Sequence, residues 1–270
     1  MSLKISVVTT VFNAKDTIEQ TIKSILQQNY SNIEYIIIDG GSKDGTLEII
    51  EKYKNSIDYF VSEGDKGIYD GMNKGISIAN GEVIYFLNAD DELYDKEVIS
   101  NIVKEFEQEK DLAMIFGNVL IQDKKSQLNY LTNIKYYEKD VVRKVESMNH
   151  QGVFIKTSVI KKLGMFDLSF KLAADTDLLY KVFIGKYPSK YTKKIVAKFT
   201  TGGFGANKKL AYDEEKRIIK KQLGKIRLFK FIIKRKIINI LSYIFLKLGI
   251  MKKYKLLKAK KRNRKLDYKY

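Results

Sequence analysis

Acidic side chains recur in this sequence just after short β-branched runs, at spacings that suit the chemistry of phosphates. Asp39 follows the run at 34–38, Asp65 lies in the stretch 62–67, and the pair Asp90-Asp91 follows the run at 81–87. Adjacent carboxylates hold a divalent cation through one or two oxygens, and such a cation neutralises charge building up on a pyrophosphate. Farther along, His150-Gln151 precedes a short apolar run, and Asp175-Thr176-Asp177 opens a helical stretch. A carboxylate there can take a proton from a substrate hydroxyl. Plainer uses compete with each of these. Asp39, Ser42 and Asp44 suit a turn or a helix cap, Asp90 and Asp91 could cap the next helix, and Asp175 and Asp177 suit the positive end of a helix dipole.

The elements around these residues form a pattern. Residues 4–11 (KISVVTTV) and 34–38 read as strands buried on both faces, and between them Ile18, Ile22, Ile25 and Leu26 have helical spacing over 16–28. That is a βαβ unit. Helices follow at 46–53 and 67–79, and strands at 57–61 and 81–87. The alternation predicts an α/β fold with a mostly parallel, Rossmann-like sheet flanked by helices. In such a sheet ligands bind at the carboxyl ends of the strands, where 9–13, Asp39, Asp65 and Asp90-Asp91 would gather. Beyond residue 95 the spacing predicts helices at 96–108, 158–163 and 175–183, and strands at 113–121 and 151–155. A hairpin-like polar segment follows the first of these strands, and a Gly-rich loop at 201–205 could close over a ligand as a lid.

Composition narrows the chemistry. The chain of 270 residues has no cysteine and one histidine, so a metal must sit mainly on oxygen. The N-terminal apolar run reads as a strand and not as a secretory leader, which makes the cytoplasm the expected compartment. The net charge of +18 is unevenly placed: residues 216–270 carry 21 Lys/Arg against one acid, leaving 29 basic and 31 acidic residues elsewhere.

The segments SVVTTVFNA, IIIDGGSKDGT, SEGDKGIYDGMNKGI and ANGEVIYFLNADD, followed by NHQGVFI, FDLSFKLAADTDLLYKV and TTGGFGAN, together resemble family 2 glycosyltransferases with the GT-A fold. The likeness is to the branch that builds O-antigen and capsular polysaccharides, and it spans about residues 3–207. It implies an inverting, metal-dependent transfer from a nucleotide-sugar donor, UDP before GDP or dTDP, to a saccharide or lipid-linked saccharide. It also implies a nucleotide-binding half at about 1–95 and an acceptor half at about 96–207. Thr9, Val11, Asn13, Asp39, Asp65, Lys66, Asn73 and Asp90 would contact the donor, with Asp39 accepting from the uracil imide. Asp91, then Asp90, would hold Mn²⁺ or Mg²⁺. His150 and Gln151 would lie near the diphosphate and acceptor, and Asp175, or alternatively Asp177, would be the base. The sequence departs from the family pattern at Gly40 and Asn88, where many relatives carry an acid.

Residues 208–270 are expected to form a basic, amphipathic helical tail that lies on anionic lipid, keeping the protein peripheral on the inner face of the cytoplasmic membrane. Removing 216–270 should then release the protein while sparing donor binding. Two other functions fit parts of the sequence. A nucleotidyltransferase also pairs metal carboxylates with a nucleotide, but it releases pyrophosphate and not a nucleoside diphosphate. A nucleic-acid-binding module would use the basic tail, yet residues 1–215 offer no basic face to continue it, so no nucleic-acid partner is expected.

Overall fold

Every residue of β1 (Ile5–Val11) is buried, and β2 (Ile33–Asp39) is nearly so, because helices cover both faces of the sheet they share. β1, β2, β3 (Tyr59–Ser62) and β4 (Val83–Phe86) run parallel in the order β3-β2-β1-β4. One face is closed by α1 (Ile18–Leu26), α2 (Thr46–Glu51) and α4 (Val98–Gln108), whose Ile18, Ile22, Ile50, Ile99 and Ile102 meet Ile5, Val7 and Ile37. Against the other lies α3 (Ile68–Ile78), with Met72 and Ile76 on Val8, Ile36 and Ile38. The structure is a computed structural model that describes residues 2–123, 127–132, 134, 140–201, 207–249 and 257.

Beyond β4 the sheet changes character. β8 (Val153–Lys156) pairs antiparallel with β4 and with β6 (Met114–Asp123), and β6 pairs in turn with the hairpin strand β7 (Leu128–Leu131) and with β9 (Ser189–Thr200). β5 (Asp91–Leu93) closes the sheet, antiparallel to β9. The parallel half and the helices on both faces are the expected α/β arrangement. β5 and β9 are not in the sequence reading. β9 mixes four lysines with apolar residues and has only Ile195, Val196 and Ala197 buried, too short an apolar run to read as a strand.

α5 (Val141–Val145), α6 (Thr157–Lys162), α7 (Ala174–Ile184) and α8 (Lys208–Lys247) pack on the α3 face. α8 is two helical segments meeting at Gly224, whose φ of +82° and ψ of 178° break the helix. The chain turns back there: Phe231 stacks on Tyr212 with ring centroids 5.8 Å apart, and Arg235 pairs with Glu215 at 2.9 Å. Ile218, Ile219 and Phe231 are fully or almost fully buried, so the first part of the expected tail belongs to the core of the domain. The Gly-rich loop at 202–205 and, apart from Leu257, the polybasic segment expected at 252–265 lie outside the described residues.

Candidate active site

The carboxyl ends of β1 and β4 are neighbours, with β2 and β3 on one side and the start of β8 on the other, so one edge collects loops from both halves of the sheet. Such a point, where strand order reverses, is where open α/β sheets bind ligands. The antiparallel entry of β8 matters here. Pairing of Tyr85 with Phe154 carries the residues that precede β8 to the edge where β4 ends, and His150-Gln151 arrive in a 3₁₀ turn beside Asn88.

A hydrogen-bonded chain joins the two halves. Thr10 Oγ1 donates to Asn88 Oδ1 at 3.1 Å, and Asn88 Nδ2 lies 3.1 Å from His150 Nε2. His150 Nδ1 is 3.3 Å from Asp175 Oδ2. Asp175 Oδ1 accepts from the Tyr69 hydroxyl at 2.9 Å and from the Thr176 N–H at 2.8 Å. Burial alone would raise the Asp175 carboxyl, but hydrogen bonding and charge from His150, with help from Tyr69, hold it below its ordinary value. Burial likewise acts to lower the imidazole, and the Asp175 carboxylate outweighs it and raises His150. Asp175 is therefore an ionised carboxylate at the first turn of α7, able to accept a proton.

Its neighbours fix where it stands. Asn73, one turn after Tyr69 on α3, clasps the backbone of Phe166, donating to its carbonyl at 2.9 Å and accepting from its N–H at 3.0 Å. Buried Glu214 on α8 accepts from the N–H groups of Lys171 and Leu172 at 2.7 and 2.8 Å. The loop that leads into α7 is thus held from both sides.

Asp91 and Asp90 differ sharply. Asp90 is exposed at the edge, whereas Asp91 is 1% exposed, with Oδ2 accepting from Gln151 Nε2 at 3.1 Å and buried Oδ1 without a hydrogen-bond partner. Burial, and then the charge of Asp90, push the Asp91 carboxyl up to about 8. An orphaned buried oxygen beside a second carboxylate fits a divalent cation. Among the described residues no group of three His, Cys, Asp or Glu stands at metal-ligand spacing, so these two acids would be the main protein ligands and a diphosphate and water would complete the shell.

The structure departs from the sequence reading at several donor residues. Thr9 and Val11 are buried in the sheet, Thr9 Oγ1 lying 3.3 Å from the Tyr35 hydroxyl; their side chains belong to the core. Asp39 is fully buried and takes four donors from nearby loops: the N–H groups of Gly41 and Ser42 and the hydroxyls of Ser42 and Ser62. Its carboxylate organises the loop and offers no open oxygen to a base. Asn73 is spent on Phe166, and Gln151 is buried behind Asp91 instead of facing the cleft. Asp177, two residues past Asp175 and so about 200° round the helix, points the other way, accepting from Gln222 at 2.8 Å and pairing with Lys181 at 3.1 Å. Asn13 and Lys66 remain exposed at the rim, Asn13 accepting from the Lys43 N–H at 2.9 Å.

Gly40 has a reason in the structure. A Cβ there would come within 2.8 Å of Asp65 Oδ2, so the carboxylate of Asp65, from the adjacent loop, occupies the space into which an acid at position 40 would project. Sequence reading missed the parts played by Tyr69, Thr10 and Asn88. Only the position of Tyr69 one turn before Asn73 hinted at a shared helix face.

A parallel half-sheet with acidic loops at its edge, joined through an antiparallel strand to a half that carries a helix-borne carboxylate, is the architecture of the GT-A fold. The family model described as Glycosyl transferase family 2 matches residues 6–164, and the chain belongs to that family. It is 29% identical to an uncharacterized glycosyltransferase of Mycobacterium tuberculosis over 76% of this chain and 78% of that one. It is 25% identical to a PGL/p-HBAD biosynthesis glycosyltransferase of Mycobacterium bovis over 73% of this chain and 77% of the other. Among solved structures it resembles S. aureus TarS 1-349 in complex with UDP, with 19% identity and a TM-score of 0.65, covering 82% of this chain and 65% of that one. It also resembles the Pyrobaculum calidifontis mannosyltransferase PcManGT in complex with GDP-Man and Mn²⁺, with 17% identity and a TM-score of 0.60, covering 87% of this chain and 65% of that one.

Proposed function

We propose that this glycosyltransferase moves a sugar from a UDP-sugar, with Mn²⁺ or Mg²⁺, to the hydroxyl of a saccharide or lipid-linked saccharide in cell-surface polysaccharide assembly, inverting the anomeric centre. The observation that carries the reading is the ionised Asp175 carboxylate, joined through His150 and Asn88 to the acidic edge of the parallel half-sheet. In the reaction the acceptor oxygen attacks the anomeric carbon, the carbon–oxygen bond to the diphosphate breaks, and the acceptor proton passes to Asp175. Asp90, with Asp91 behind it, would hold the cation, which neutralises charge on the departing diphosphate. Asp65, Asn13 and Lys66 would line the nucleoside and diphosphate side. The TarS complex with UDP and the PcManGT complex with GDP-Man and Mn²⁺ support a nucleotide-sugar donor by likeness of fold. The protein would work peripherally on the inner face of the cytoplasmic membrane, where lipid-linked acceptors reside; among the described residues no helix is long and apolar enough to cross a membrane.

The test is a panel of nucleotide sugars, with and without Mn²⁺, read by thermal stabilisation and by product. A UDP-sugar should raise the melting temperature most when Mn²⁺ is present, since a ligand of the folded state stabilises it. Transfer should release nucleoside diphosphate. Release of pyrophosphate would instead identify a nucleotidyltransferase.

A further inference from the structure

The second segment of α8 has two apolar faces. One is used: Phe231 is buried against Tyr212, and Leu228 and Ile232 pack on the core beside it. On the opposite side Phe229, Ile233, Ile237, Ile240, Ile244 and Leu248 recur three or four residues apart, and every one of them is exposed. At 1.5 Å per residue the stripe runs for roughly 28 Å along the helix. Past Arg235, the last residue described as pairing with the first segment, Ile238, Leu241 and Tyr243 are exposed as well. A continuous apolar stripe of this length on a protein surface marks an interaction site.

Charge selects the occupant. The segment after Gly224 has no acidic residue as far as Leu248, and Lys225, Lys230, Lys236 and Lys247 fall along the margins of the stripe. Residues 250–270 add ten Lys/Arg against one acid, Asp267. A second copy of this helix would set lysine against lysine. A nucleic acid would meet the charge and leave the apolar stripe in water. A bilayer rich in anionic lipid satisfies both, with the stripe sunk among the acyl chains and the lysines reaching up to the headgroups.

We infer that the outer face of α8, from Phe229 to Leu248, is a docking surface for anionic lipid, with the helix lying in the membrane plane. The hairpin at Gly224 ties this surface to the catalytic half, because the first segment of α8 carries Glu214 and Gln222, which hold the α7 region at Lys171, Leu172 and Asp177. The inference rests on the proposed reaction only for the idea that the acceptor is membrane-borne; lipid binding stands or falls separately.

The experiment is flotation of the full-length protein with vesicles of phosphatidylcholine, with or without phosphatidylglycerol, across a salt series. Binding should require phosphatidylglycerol and weaken as salt shortens the screening length from about 10 Å at 0.1 M to about 3 Å at 1 M. The double variant Ile240→Glu/Ile244→Glu should lose vesicle binding by roughly tenfold or more, since it puts two charges at the centre of the apolar face. Its stabilisation by UDP should be unchanged, because neither residue touches the core. Full-length protein that ignores phosphatidylglycerol vesicles at low salt overturns the inference, as does a double variant that still binds them. So does a dimer, seen by light scattering, that the double variant dissociates. If UDP fails to stabilise the protein while vesicle binding behaves as described, the proposed reaction falls and the docking surface stands.

Discussion

Two carboxylates of the site, Asp91 and Asp175, behave as different chemical groups in this fold, and substitutions should separate them. Asp91 is buried with its carboxyl pushed up to about 8, above an ordinary carboxylate. A raised acid pKa means that the folded state binds the proton more tightly than the unfolded chain, so stability is lost as pH rises from the unfolded value toward about 8. In chelator, Asp91→Asn should therefore match the wild type near pH 4 and become progressively more stable than it toward pH 8, as read by chemical denaturation. No pH-dependent difference would show that the carboxyl is not perturbed. Asp175→Asn should behave otherwise, keeping UDP affinity while turnover drops by roughly 10²–10⁴-fold, the range for loss of a general base. The amide keeps the shape and the hydrogen bond from Tyr69 but cannot take a proton. Unchanged turnover would remove Asp175 from the reaction.

At the scale of elements, α8 alters what truncation should do. Residues 208–270 read as a tail, and on that reading removal of 216–270 would spare donor binding. We propose the opposite, because Ile218, Ile219 and Phe231 are core residues and Gln222 donates to the buried Asp177. Burying each large apolar side chain contributes about 1.5–3 kcal/mol, and leaving a buried acceptor without its donor costs about 1–3 kcal/mol. A chain ending at residue 215 should consequently fail to fold, or melt far below the full-length protein. One ending at residue 236 keeps these contacts and should retain both its melting transition and its stabilisation by UDP. Equal stability of the two truncations would show that α8 does not belong to the core.

For the whole molecule, the proposed cation site, with only two acids to hold it among the described residues, would make metal and donor interdependent. Two acids alone hold Mn²⁺ weakly, and a diphosphate adds the remaining oxygens. By linkage, Mn²⁺ should tighten UDP by the same factor by which UDP tightens Mn²⁺. Titration calorimetry in the two orders checks this. Tight Mn²⁺ binding without nucleotide, or UDP affinity indifferent to Mn²⁺, would refute the shared site.

The sequence by itself determined the parallel half of the fold and the edge on which chemistry gathers. Three of those strands, β1, β2 and β4, are short apolar runs that are buried or nearly so, and acids and glycines follow them closely, so local pattern carries the information. It also named Asp175, His150 and the Asp90-Asp91 pair as candidates, and the structure sets Asp175 against His150 and Asp91 against Gln151. Only the tertiary structure decided which oxygens are available. Asp39 and Asp91 are buried, Asp177 turns toward α8, Asn73 and Gln151 are spent on other partners, and Asp65 fills the space beside Gly40. Apart from Asp39, whose donors are mostly its own neighbours, each outcome depends on a partner far away in sequence: Gln222 for Asp177, Phe166 for Asn73, Gln151 for Asp91 and the Asp65 loop for Gly40. The same holds for β9, whose lysine-rich sequence becomes a strand because β6 and β5 pair with it on either side. Residue type and spacing set which groups can do chemistry, while burial and long-range partners select the ones left free to do it.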